Sequence, residues 1–285
     1  MSEEHSVDSV WEKEKELVVK IVAATSSSGN MQQVYDSIPN KKMMSLDNGE
    51  ILEIICMDGR LNESEKQSRV YARDGGSGIL RAAEGLEKIA EDYMRAAMEL
   101  GVSTIRLTSH SDCGAWNLSG KDQKGGEKFY AELQQALVKK ISEADLPIEV
   151  IFEHIPNDKH NKEGAGLCGS HVERAVYYAA LPSFNPQAVP GLPTWFVVSR
   201  EYFSPNYAIT NTAIAIKIAF GEHGFGERFS DGQPFLLVAV ARSEEKLEEA
   251  KAELEQAKAL AIEKYLKDVL KADEKIKVTG FVVGE

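Results

Sequence analysis

The sequence contains little cysteine, only three residues in 285, and an odd number of cysteines cannot all pair within the chain. It also has no uninterrupted apolar stretch near the roughly 20 residues that a helix needs to cross a bilayer. The first residues are rich in Glu and Lys, unlike a secretory signal peptide. We therefore expect a cytoplasmic protein whose thiols are free or bound to a metal.

An excess of basic residues is also missing. The formal net charge is −12, which argues against a nucleic-acid or membrane surface as partner, because both usually attract a concentrated basic patch. The glycine loops "GGSG" and "GFGERF" lack the Lys-Ser/Thr pair of a phosphate-binding P-loop. The net charge says little about a small substrate, which experiences only the local field of its site.

Apolar runs alternate with helical patterns along the chain. The runs at 50–56 and 102–110 flank a helical spacing that ends at Gly101, which predicts a strand, a helix and a second, parallel strand. An amphipathic helix is expected at 9–24, and a long charged helix at 243–273. Further strands are predicted at 147–155, 194–202, 234–242 and 275–283.

This pattern predicts the α/β class, with a single, mostly parallel sheet flanked by helices. We expect one domain over 1–285, composed of an N-terminal helical arm (1–45), a core (46–120) and the rest of the sheet with the C-terminal helix (121–285). The Pro- and Gly-rich stretch 181–193 is the best candidate for a linker or excursion. No internal repeat is evident in the sequence.

Two of the three cysteines follow successive predicted strands. Cys56 lies at the carboxyl end of the first strand, and His110 and Cys113 lie at the carboxyl end of the next. Parallel strands bring these ends to one edge of the sheet, where sites gather. A lone cysteine at such a position is usually a small buried hydrophobe. Together the three residues predict a zinc site whose fourth position is open, as in catalytic zinc sites.

A second cluster of metal-binding residue types occurs later in the chain. Cys168 and His171 are three residues apart, with His154 and His160 upstream. No further cysteine is present to complete the usual structural zinc set, so packing of Cys168 and solvent-facing histidines are favoured instead. A role for His154 or His160 in proton transfer stays open.

The residues around the predicted zinc site resemble the β-class carbonic anhydrases. "CMDGR" (56–60) matches a Cys-x-Asp-x-Arg motif, "RDGGSG" (73–78) approximates a glycine-containing turn, and "HSDCG" (110–114) matches His-x-x-Cys. The resemblance covers about residues 50–116. It implies a β-carbonic anhydrase-like fold with an extended C-terminal half, and zinc bound by Cys56, His110 and Cys113.

The resemblance further implies a zinc lyase that reversibly hydrates carbon dioxide to bicarbonate through a zinc-bound hydroxide. It implies a homo-oligomer, a dimer or a multiple of dimers, in which the first helix embraces a neighbouring copy. With zinc present, Asp58 lies on the same side of an extended chain as Cys56 and can orient the hydroxide. Arg60 can hold Asp58 ionised by a bidentate pair. Without the metal ligands, a surface salt bridge would be the simpler interpretation.

The sequence also departs from the family. Asp74 stands where the family usually has Asn, and Gly59 stands where Ser is common. Gly75 and Gly76 permit close approach of a small substrate, although a simple turn explains them nearly as well. A carboxylate near the zinc opposes bicarbonate, so hydrolysis of carbon disulfide or carbonyl sulfide on the same scaffold is an alternative. A non-catalytic zinc-binding regulatory module is another.

Overall fold

The computed structural model describes residues 7–23, 30–38, 51–57, 69–73, 85–111, 113, 123–155, 172–181, 184, 186, 189, 191–201, 203–221 and 224–283. The strands are β1 (Ile51–Ile55), β2 (Arg69–Arg73), β3 (Thr104–His110), β4 (Glu149–Ile155), β5 (Ala175–Ala180), β6 (Trp195–Ser199), β7 (Phe235–Ala241) and β8 (Ile276–Val282). The α-helices are α1 (Val7–Ala23), α2 (Asn30–Ser37), α3 (Leu86–Leu100), α4 (Gln123–Glu143), α5 (Pro205–Ala219) and α6 (Glu244–Tyr265).

The strands form two parallel sheets. Their orders are β2-β1-β3-β4 and β6-β5-β7-β8, and every pairing within them is parallel. The predicted α/β class with parallel strands flanked by helices is confirmed. The prediction of a single sheet is wrong, because two strands that the sequence pattern did not reveal, β2 and β5, complete two separate sets of four.

The two sheets repeat one arrangement of elements. Each is built in the order strand, strand, helix, strand, helix, strand, and in each the second strand of the sequence lies at the edge. The repeat is one of topology, since the sequence itself shows no evident internal repeat. It gives each sheet a carboxyl edge at which the first and third strands end side by side.

The residues of β2 and β5 explain why the sequence pattern did not predict these two strands. β5 reads "AVYYAA" and is buried throughout, a run that resembles a helix as much as a central strand. β2 is only "RVYAR", with a charged residue at each end.

The long charged helix ends earlier than predicted, at Tyr265. Lys271, beyond this end, has a positive φ of 56°, which a helix does not accommodate.

A continuous core connects the two sheets. One cluster of buried residues includes Leu52 and Leu107 of the first sheet together with Phe196 and Leu237 of the second. Next to this contact, the backbone N–H of Val197 donates to the carbonyl oxygen of Met57 at 3.1 Å. The second sheet therefore touches the chain segment that directly follows β1.

The N-terminal helices pack against the second sheet of their own chain. Val18 and Ile21 of α1 are fully buried in a cluster that contains β5 and β7 residues such as Val238. Tyr35 of α2 stacks on Phe281 of β8, with ring centroids 4.4 Å apart. These contacts hold α1 and α2 against the second sheet. In the described part of the chain, no helix combines the length and apolarity needed to span a membrane.

A buried carboxyl group attaches α1 to the second sheet. Glu14 Oε1 accepts from the backbone N–H of Thr194 at 2.8 Å, and its Oε2 lies 3.1 Å from the Thr194 hydroxyl. That hydroxyl has a single proton, for which the Val172 carbonyl, at 2.6 Å, and Glu14 Oε2 are both acceptors. When Glu14 carries a proton, it can donate to the hydroxyl oxygen instead of competing for this proton. Burial raises the pKa of Glu14 to about 7, against the opposing effect of Thr194 and the charge of Arg174.

Because the folded protein holds this proton up to a higher pH than the unfolded chain does, stability falls as pH rises from about 4.5 to about 7. Glu14→Gln supplies an amide N–H to the Thr194 hydroxyl and keeps the oxygen acceptor. We expect this variant to lose that part of the pH dependence and to gain stability above pH 7. Urea unfolding of both proteins at acidic and alkaline pH checks it, and identical pH profiles would contradict the assignment.

A partly buried ion pair lies at the carboxyl edge of the second sheet. Arg200, which directly follows β6, donates to both carboxylate oxygens of Glu253 on α6, at 2.7 and 2.9 Å, and to the carbonyl of Phe203 at 2.9 Å. The Tyr178 hydroxyl of β5 donates to the same carboxylate. Burial works against the charge of Arg200, yet the bonds to Glu253 raise its pKa. The ion pair and its neighbours therefore connect α6 with β5 and with the segment that follows β6.

Glu253→Ala would remove the carboxylate that pairs with the half-buried Arg200 guanidinium. We expect the free energy of unfolding to fall by about 1–3 kcal/mol, because Arg200 keeps part of its contact with water. Glu249→Ala, which removes an exposed pair with Lys246 on the same helix, is the matched control and should change it by less than about 0.5 kcal/mol. Equal effects of the two substitutions in urea unfolding would contradict this role of Glu253.

Candidate metal centre

The pairing of β1 with β3 places two strand ends together. The strands are parallel, with Ile54 opposite Leu107. Cys56 follows directly after β1, His110 is the last residue of β3, and Cys113 comes three residues later. Parallel pairing in this register brings the cysteine of one strand to the histidine and cysteine of the other.

The three side chains converge in the structure. The sulfur atoms of Cys56 and Cys113 are 3.9 Å apart, and the ligand atoms of all three residues lie within 4.8 Å of one another. Each residue is buried, with exposed fractions of 6% for Cys56 and 4% for His110 and Cys113. The group could therefore hold a metal ion; the structure does not identify the metal.

The spacing of the sulfur atoms fits ligation of one ion better than a covalent bond. A disulfide requires about 2.05 Å between sulfurs, and neither cysteine is in a disulfide. Two thiolates bound to one tetrahedral zinc at about 2.3 Å each are separated by about 3.8 Å. The observed 3.9 Å is close to that value. Two thiolates buried together would also need a cation to compensate their charge.

His110 is oriented as a metal ligand by the chain that follows it. Its Nδ1 lies 2.8 Å from the carbonyl oxygen of Ser111, and since a carbonyl only accepts, Nδ1 carries the proton. In the neutral ring Nε2 then has the lone pair that a metal requires. A hydrogen bond from the second ring nitrogen to a carbonyl is the usual companion of histidine ligation.

The matching edge of the second sheet has no such ligands. Ile51 pairs with both neighbours of β1, as Ala175 does with both neighbours of β5, so the registers define the corresponding positions. Counted from these pairings, the counterparts of the three ligands are Ala180, Arg242 and Glu245. Within the described ranges, the Cys56, His110 and Cys113 group is the one set of residues found that could hold a metal ion.

Most of the other residues singled out from the sequence lie outside the described residues. These are Asp58, Arg60, Gly75 and Gly76, with Gly59 and Asp74, and also Cys168, His171 and His160. Their predicted roles stay predictions. His154 is described, and it is half-buried rather than solvent-facing as expected, because β4 places it against Ser109 of β3 and Ser111, just after β3.

Sequence inspection missed this serine–histidine set. Ser109 and Ser111 flank the ligand His110, and their hydroxyls lie 2.9 and 3.2 Å from the two ring nitrogens of His154. The two serines on either side of His110, Ser109 and Ser111, could have been noticed in the sequence as candidate partners of another side chain. The pairing of β3 with β4, which places Ser109 opposite His154, was not available from the sequence.

Comparison of the chain with protein-family models, with curated proteins and with solved structures finds no match. The case for a function therefore depends on the sequence motifs and on the geometry of the metal centre.

We expect purified protein to bind about one zinc ion per chain, because the described residues offer one ligand set. Cys56→Ser and His110→Ala each remove a ligand and should lose most of the metal, measured by elemental analysis after dialysis. Cys168→Ser, which replaces the third cysteine of the chain, is the matched control and should retain it. Unchanged metal content in Cys56→Ser and His110→Ala would refute the centre.

Proposed function

We propose that the protein is a zinc-dependent carbonic anhydrase of the β-class type, which reversibly hydrates carbon dioxide to bicarbonate. The observation that carries the proposal is the convergence of Cys56, His110 and Cys113, buried and within 4.8 Å of one another, at the ends of adjacent parallel strands. The motifs around these residues, Cys-x-Asp-x-Arg and His-x-x-Cys, are the ones that resemble this family.

Zinc is the metal that this donor set favours. Thiolates and imidazole suit zinc, whereas magnesium, calcium and manganese prefer oxygen ligands. Three protein ligands leave one tetrahedral position for a reactant, as in catalytic rather than structural zinc sites. Zinc, when bound, supplies Lewis-acid activation of water, which must be deprotonated before it can add to carbon dioxide.

The chain's own residues supply orientation and a dry environment. The Ser111 carbonyl fixes the ring of His110 through Nδ1, which leaves the lone pair of Nε2 for a metal. Cys56, Met57 and Cys113 belong to the main hydrophobic core, and such surroundings admit an uncharged apolar substrate more readily than an ion.

Asp58 and Arg60 are proposed to complete the catalytic set. Asp58 accepts a hydrogen bond from the reacting water and so directs its lone pair towards the substrate carbon. Arg60 keeps the Asp58 carboxylate ionised. The support for both roles is their spacing after Cys56, two and four residues on, which gives side chains on the same side of an extended chain. Gly75 and Gly76 are proposed to line the substrate site.

The sequence also supports a second substrate class. Asp74 and Gly59 replace residues that are usual in the family, and a carboxylate beside the product site would repel bicarbonate. Carbon disulfide or carbonyl sulfide would enter the same site as neutral molecules and use the same ligands and activated water.

If zinc is bound without turnover of any of these substrates, the remaining proposal is a regulatory module held together by its metal. Because of the family resemblance, we also propose that the protein assembles into dimers or multiples of dimers.

Stopped-flow assays of zinc-loaded protein with carbon dioxide, carbonyl sulfide and carbon disulfide separate these proposals. We expect rapid hydration of carbon dioxide. Asp58→Asn should lower kcat/KM by about 100-fold, because the amide orients the reacting water poorly, while zinc content stays unchanged. Turnover of the sulfur substrates alone would replace the assigned substrate. Full activity of Asp58→Asn would refute its orienting role, and zinc binding without any turnover would refute catalysis.

A further inference from the structure

We propose that His154 of β4 is a positioning residue for the metal ligand His110. The inference depends on the proposed metal centre and extends it to the neighbouring strand. It arises from one observation: a single imidazole, half-buried at the end of β4, lies within hydrogen-bonding distance of the two serines on either side of His110.

The strand register explains how one ring reaches both serines. Ser109 pairs directly with His154 in the parallel β3–β4 ladder. Ser109 and Ser111 are two residues apart on an extended chain, so their side chains lie on the same face. Ser109 Oγ is 2.9 Å from Nδ1 of His154, and Ser111 Oγ is 3.2 Å from Nε2. A neutral imidazole donates at one nitrogen and accepts at the other, and a hydroxyl can match either role.

Ser111 transmits this contact to the metal ligand. Its backbone N–H donates to the carbonyl of Ile155 at 3.1 Å, which extends the β3–β4 pairing past the last residue of β3. Its side chain contacts His154, and its carbonyl accepts from Nδ1 of His110 at 2.8 Å. The residue that orients His110 is thus itself fixed by β4 through both backbone and side chain.

The consequence is a chain of hydrogen bonds from β4 to the metal ligand. If the His154 ring is removed, Ser111 loses its side-chain anchor, and the carbonyl that fixes the rotation of His110 gains freedom. His110 would then sample ring orientations that are less suited to binding a metal together with the two sulfur atoms. Loss of such a supporting contact typically weakens metal affinity by about 10–100-fold.

His154→Phe removes both hydrogen bonds while keeping a flat ring of similar size. We expect its zinc dissociation constant, measured by competition with a chromophoric chelator, to rise about 10–100-fold. The visible absorption of the cobalt-substituted protein, which reports ligand geometry, should also change. His154→Gln, whose amide can donate and accept, should restore part of the affinity.

Glu153→Gln is the matched control, because it alters the neighbouring residue of β4, whose half-exposed side chain pairs with Arg106. It should leave zinc affinity and the cobalt spectrum unchanged. Urea unfolding of the metal-free proteins separates a general loss of stability from a change in the centre. If His154→Phe does not fold, the paired substitutions Ser109→Ala and Ser111→Ala remove the same two bonds with smaller changes.

The outcomes distinguish this inference from the proposed function. Wild-type protein that binds no zinc would overturn the metal centre itself. Wild-type protein that binds zinc, with a His154→Phe or double-serine variant of the same affinity and the same cobalt spectrum, would overturn only the role of His154. Weaker zinc binding with a shifted spectrum, partly restored by His154→Gln, is the result that we expect.

Discussion

The candidate site depends above all on the parallel pairing of β1 with β3. The ladder places Ile51 opposite Thr104 and Ile54 opposite Leu107, so both strands end at the same edge of the sheet. A shift of one residue in this pairing would move every side chain of a strand to the other face and separate the ligands. The buried apolar residues of β1 and β3, such as Leu52, Ile54, Ile105 and Leu107, hold the register. The metal-binding geometry is therefore a consequence of core packing.

The second sheet shows how the same architecture can stabilise a different edge. Where the first sheet gathers two thiols and an imidazole, the second gathers a guanidinium, a carboxylate and a phenol from Arg200, Glu253 and Tyr178. Both edges bury polar groups that require partners. In the second sheet these partners are protein groups, whereas two buried thiolates in the first sheet call for a cation. The contact between Val197 and Met57 joins the halves beside Cys56.

Much of the first half could be predicted from sequence, because strong local patterns coincided with the tertiary structure. The apolar run before Cys56, the helical spacing that ends at Gly101 and the next apolar run gave the parallel unit, and the ligand spacing gave the convergence. The second sheet was harder, since its continuously buried β5 lacks the alternation that marks a strand. Contacts such as that of His154 with Ser109 depend on register between distant segments, which no local pattern encodes.

The central claim is that Cys56, His110 and Cys113 bind one zinc ion with an open position. X-ray absorption spectroscopy of the zinc-loaded protein tests it most directly, because it counts ligand atoms by type and distance. The account predicts two sulfur atoms at about 2.3 Å and two nitrogen or oxygen atoms at about 2.0–2.1 Å. A zinc shell without sulfur, or one made of four sulfur atoms, would contradict it.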